Sequence, residues 1–125
     1  MEQELESAWD AAQQRYTRVD TDLAHFNISL LSALRPSWGD VLRPVTSMFS
    51  LWLVRPKATY PYPEKVVVEY EGVERVQMSL FRELPRQSLE RSGGAVTVAG
   101  DITRSANALP AVEALLLQLA APSDP

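Results

Sequence analysis

Asp22 and His25 stand three residues apart in a stretch with helical patterning. That spacing puts both side chains on one helix face, close enough to share a metal ion. His25 is the only histidine and the chain has no cysteine, so the remaining ligands would have to come from scattered carboxylates. No metal site is assigned, and an exposed ion pair is the simpler outcome. Nucleophilic catalysis needs an activated Ser, Thr or Lys with a base in reach. Ser79, Ser88 and Ser92 are available, but Ser92-Gly93-Gly94 leads into a strand pattern instead of a helix and reads as a turn. Glu69, Glu71 and Glu74 surround a hairpin turn, where solvated charge is the expected state. Of the five glycines only Gly93 and Gly94 are adjacent, and Gly100-Asp101-Ile102-Thr103 lacks the spacing of a phosphate loop. No catalytic residue and no cofactor is assigned.

Two groups suit recognition better than catalysis. Arg82, Arg86 and Arg91 bracket the loop after a predicted strand, and Arg104 follows the next one. Brought to one end of a sheet, they would form an anion-binding spot for a carboxylate, a phosphate or an acidic protein surface; left apart, they are solvated partners for Glu83 and Glu90. Tyr60-Pro61-Tyr62-Pro63 is a stiff aromatic loop. Tyr60 and Tyr62 offer large contact area at low entropy cost, and proline pre-orders the backbone between them. Trp38 sits in a turn and needs a pocket or a partner.

Composition narrows the function classes. With 125 residues and 46% hydrophobic content, the chain suffices for one ordinary domain with its own core. The formal net charge of -4 disfavours general nucleic-acid binding. Ten arginines stand against two lysines, and codon bias in a GC-rich genome is the simplest reason. Met1-Glu2-Gln3-Glu4 is acidic and carries no apolar leader pattern, and no run approaches the ~20 apolar residues of a membrane helix. The expectation is a cytoplasmic protein without a membrane segment.

These residues need elements to position them. Leu5, Trp9, Ala12, Tyr16, Val19, Leu23, Phe26, Leu30 and Ala33 alternate at spacings of four and three, one helical seam. The pattern predicts a helix over 2–34, ended by Pro36. Asp20-Thr21-Asp22 is a poor helix interior and a good cap, so two helices, 2–18 and 21–34, are the alternative. The seam is narrow up to Tyr16 and widens after Leu23. Leu5, Trp9, Ala12 and Tyr16 are therefore the candidate partner-binding face, and Leu23 onward is core.

Thr46 to Arg55 reads as one strand apolar on both faces. Lys65–Glu69 and Val73–Glu83 form a hairpin, and a three-residue loop places Val66 and Val68 with Val76, Met78 and Leu80. Ala95–Ala99 is a short further strand. Asn107 caps a last helix whose buried face is Leu109, Val112, Leu115, Leu116 and Leu119. The expectation is a single α+β domain over 1–121 with a frayed tail at 122–125: a long N-terminal helix, an antiparallel sheet of about four strands, and a C-terminal helix on the sheet.

The functional expectation is a non-catalytic protein-interaction domain. It would be an adaptor, a subunit or an inhibitor, binding a protein partner or a second copy of itself, as in a homodimer. The alternative is a small-molecule binder or small enzyme, with a pocket between sheet and helices lined by Trp52, Met78 and Arg82.

Overall fold

The computed structural model describes residues 2–47, 50–60, 62–83 and 95–121. Helices α1 (Glu2–Thr17) and α2 (Asp22–Trp38) come first, then strands β1 (Arg43–Thr46), β2 (Leu51–Val54), β3 (Lys65–Gly72), β4 (Arg75–Glu83) and β5 (Ala95–Thr103). A 3-10 turn, Ser105–Asn107, leads into α3 (Ala108–Ala120). The strands form one antiparallel meander in the order β1-β2-β3-β4-β5. The α+β class holds, with five strands in place of about four.

The extra strand is Arg43–Thr46, just before the predicted strand, and Thr46–Arg55 contains the turn and second arm of a hairpin instead of one strand. Ser47 and Ser50 exchange backbone hydrogen bonds of 3.0 and 3.3 Å, and Arg43 to Thr46 pair with Val54 to Leu51. Apolar residues on both faces do not distinguish one long strand from two short ones, because the turn carries no glycine or proline to mark it. Met48 and Phe49 lie outside the described residues.

The first helix is two helices. Thr21 is extended (φ -132°, ψ 160°) and its hydroxyl accepts from the Ala24 amide at 3.2 Å. Asp22 lies in the first turn of α2, where a carboxylate faces the positive end of the helix dipole. The capping trio wins over the unbroken seam because the chain can fold back there: α1 finds its helix partner in α2 of the same chain. Gln13 Nε2 donates to Ser32 Oγ at 3.1 Å, and Arg35 donates to Asp10 at 2.9 Å and to Gln13 at 2.7 Å.

Pro36 sits inside the last turn of α2 and does not end it. Near a helix end its missing N–H forfeits one bond only. Gly39 closes the helix by donating to Arg35 O at 2.8 Å. A Cβ at this position would lie 2.6 Å from that same oxygen, so the close approach requires glycine.

The β3–β4 register follows the apolar matching: Val66 pairs with Leu80, Val68 with Met78 and Tyr70 with Val76, with an irregularity between Tyr70 and Gly72. Gly72 takes φ 153°, a backbone state that side chains disfavour. β5 is longer than the predicted 95–99 because Gly100 to Thr103 continue pairing with β4 through Ser79 to Val76.

One core joins the helices to one face of the sheet. Leu31, Leu34, Leu42, Leu51, Leu53 and Leu116 are fully buried in it. α1 packs on α2 and β1, α2 on β3, and α3 on β3, β4 and β5. Among the described residues, the other face carries no helix.

Candidate functional site

The proposed seam is inside the molecule. Trp9 is 0% exposed, Ala12 4%, Tyr16 5% and Leu5 8%, all within the single core cluster. The Trp9 indole donates to Leu42 O at 3.0 Å. These four residues therefore do not form an outward-facing surface in this fold. A narrow seam needs one helix to cover it, and α2 does so.

Of the arginine group, the described members Arg82 and Arg104 stand apart. Arg86 and Arg91 lie outside the described residues. Arg82 is opposite Val96 at one end of the β4–β5 pair, whereas Arg104 follows Thr103, opposite Val76 at the other. Each has its own structural partners. Arg104 Nε lies 2.9 Å from Glu74. Arg82 donates to Gln118 O and Arg55 donates to Leu119 O, with Glu64 ion-paired to both guanidiniums. Cations at the carbonyl end of α3 complement its dipole, so this cluster anchors the helix. His25 pairs with Asp20 at 3.1 Å rather than with Asp22, both being exposed. Among the described residues no group of three metal-ligating side chains occurs.

Trp52, Met78 and Arg82 do not share a pocket. Met78 is 0% exposed in the core, Arg82 is committed to α3, and Trp52 belongs to the opposite face. A surface groove of about 550 Å³ instead lies where α1 meets α2, bordered by Arg15, Tyr16, Arg18 and Leu23.

The tyrosine loop leads to the helix-free face. Tyr60 is 82% exposed, and its ring meets Tyr62 edge-on at 6.2 Å. Tyr62 meets Trp52 edge-on at 6.2 Å. Tyr62 holds φ at 55°, an unusual state for a side-chain-bearing residue. Its backbone is fixed on both sides: its amide donates to Thr59 O at 2.9 Å and its carbonyl accepts from Lys65 Nζ at 2.9 Å.

Alternation along the strands puts Trp52, Lys65, Val67 and Phe81 on one surface. Trp52 pairs with Val67 and Lys65 with Phe81. Val54 and Val67 are buried yet stand apart from the main core, a second, smaller apolar layer beneath the rings. The Lys65 ammonium lies 4.7 Å from the Trp52 ring centre and 5.1 Å from that of Phe81. Burial lowers its pKa from the ordinary lysine value. The Arg43 guanidinium lies 5.6 Å from the Tyr62 ring centre and donates to Pro56 O and Ala58 O.

Sequence reading found the tyrosines, named Trp52 only as a pocket residue with Met78 and Arg82, and missed Lys65 and Phe81. The available signal was the hairpin itself. Once Val66 and Val68 face the core, Lys65 and Val67 must face away, and reading Thr46–Arg55 as covered on both faces obscured that consequence.

No helix among the described residues is long and apolar enough to cross a membrane. No protein-family model, curated protein or solved structure matches the chain.

Proposed function

We propose that the protein is a non-catalytic interaction domain, an adaptor, subunit or inhibitor, whose binding surface is the helix-free sheet face with its tyrosine loop. The observation that carries this reading is the continuous aromatic run Tyr60–Tyr62–Trp52, extended by Lys65 to Phe81. Aromatic residues dominate interface energetics, and pre-ordered ones lose little freedom on binding. Tyr62 and Trp52 are held by backbone and ring contacts before any partner arrives. The binding role expected of the N-terminal helix passes to this surface, since α1 spends its apolar face on the core.

The test is stoichiometric capture of a partner from the native cell by wild type, by Tyr60→Ala combined with Trp52→Thr, and by Leu117→Ser on the helical side (Leu117 is 64% exposed). The expected result is capture lost with the first variant and kept with the second. Loss with Leu117→Ser alone, or an unchanged partner with the double variant, overturns the assignment.

A further inference from the structure

Cations in this acidic chain are divided by location. Arg35, Arg55, Arg75, Arg82 and Arg104 each lie against a carboxylate. Arg15, Arg18 and Lys57 are exposed to water. Arg43 and Lys65 are the two partly buried cations with no carboxylate in ion-pair reach among the described side chains; Lys65 lies on the helix-free face, and Arg43 stands at its border beside Leu5 and Ala8 of α1. Arg43 is satisfied by two backbone carbonyls. Lys65 donates to one, Tyr62 O, leaving two of the three ammonium donors free.

A partly desolvated charge without a counter-ion is costly, and a methionine would fill the same space without that cost. The nearest carboxylate along β3 on this face is Glu69, four residues away, or about 13 Å by strand rise.

We infer that Lys65 is a carboxylate anchor: the helix-free face takes an acidic segment of a partner protein, seating one Asp or Glu side chain on the Lys65 ammonium between Trp52 and Phe81. This rests on the reading of that face as the binding surface. A carboxylate there meets a charge-assisted hydrogen bond in a setting dried by two rings, where such a bond is strongest. The occupant is a polypeptide because this site is a sheet surface with aromatic flanks and not a concave cleft. Small ligands need concavity to bury most of their area. A nucleic acid would require a far more positive surface.

The experiment uses two short synthetic peptides, one with three glutamates and two phenylalanines among serines, the other with the glutamates replaced by glutamine. Binding is followed through the three indole N–H signals in nitrogen–proton NMR, at low and at high salt. The protein is wild type, Lys65→Gln and Lys65→Arg. Trp9 and Trp38 signals report that each variant is folded. The expected result is movement of the Trp52 signal and about tenfold tighter binding of the acidic peptide, a preference that salt weakens. Lys65→Gln abolishes the preference, and Lys65→Arg keeps it. Equal affinity for both peptides, with Trp52 moving, overturns the anchor and leaves the face as a binding surface. An unmoved Trp52 with either peptide overturns both readings. A Trp52 signal that shifts with protein concentration alone identifies a second copy as the occupant and overturns the acidic partner.

Discussion

The Trp9 indole and the Leu42 carbonyl are joined by a 3.0 Å hydrogen bond at a point where both residues are 0% exposed. It ties the middle of α1 to the segment that enters β1, across 33 positions of sequence. The bond explains why a large, partly polar side chain can occupy the centre of a core: its single donor is used.

Trp9→Phe keeps most of the apolar volume and leaves the Leu42 carbonyl unpaired, an expected cost of about 1–3 kcal/mol. Trp9→Ala adds a cavity and is expected to cost about 3–5 kcal/mol. Urea denaturation with an unchanged slope measures both. A Trp9→Ala midpoint equal to wild type would show that the indole is not core.

Thr21 holds the start of α2 through its hydroxyl. Thr21→Ala is expected to lower stability by about 1 kcal/mol, and Thr21→Asp to restore most of it, since both Thr and Asp accept from the same amides. Thermal unfolding of the pair of variants checks this. Equal loss in both would mean that the cap does not matter.

Tyr16 supplies a pH signature. Its hydroxyl and the neighbouring Asn27 amide are buried without completed hydrogen bonds among the described residues. Burial raises the phenol pKa above 10.0, opposed by the Arg15 charge and by Asn27. The native state therefore holds its proton after the unfolded chain has begun to release it. Stability is unaffected by this group below about pH 10 and falls as pH rises through the ordinary phenol range toward the raised native value. Tyr16→Phe is expected to flatten that decline while changing neutral-pH stability by less than about 1 kcal/mol. Urea midpoints from pH 7 to 11 decide the matter, because Tyr60, Tyr62 and Tyr70 are common to both proteins.

Arg82 was legible as a functional candidate and serves as an anchor. With its guanidinium donating to Gln118 O and facing Glu64, Arg82→Gln is expected to loosen the last turn of α3 by about 1 kcal/mol. Amide hydrogen exchange at Leu117 to Ala120 should quicken while exchange in α1 stays constant.

What sequence could reveal here depended on range. Patterns whose physics is local were readable: the α3 apolar face, the Val66/Val68 register and the capping trio at Asp20–Asp22. The trio was outweighed by the seam because periodicity says that a stripe must be covered and not by what. Coverage of Trp9 by α2, like the destination of the Arg82 guanidinium at Gln118, 36 positions away, depends on how distant segments meet. The open sheet face was hidden for the same reason. It exists because the three helices of the described residues pack on the other side, and that choice is written in no single stretch of the chain.

The exposed edge of that sheet supplies the last expectation. β5 is nine residues long, with Val98 52% and Ile102 50% exposed, and an edge of this kind invites pairing with another chain. Asp101 Oδ1 accepts from the Ile102 amide at 2.8 Å, occupying an edge donor and placing a charge beside it. Asp101→Ala frees the donor and removes the charge, so the variant is expected to associate more strongly with rising concentration than wild type does. Adding Ile102→Lys should reverse the association by restoring charge to the edge. Sedimentation velocity over a hundredfold concentration range measures both. If Asp101→Ala behaves as wild type throughout, the Asp101 contact is a local turn feature without a protective role, and the edge is guarded by its Leu80/Phe81 irregularity and the added twist such bulges impose.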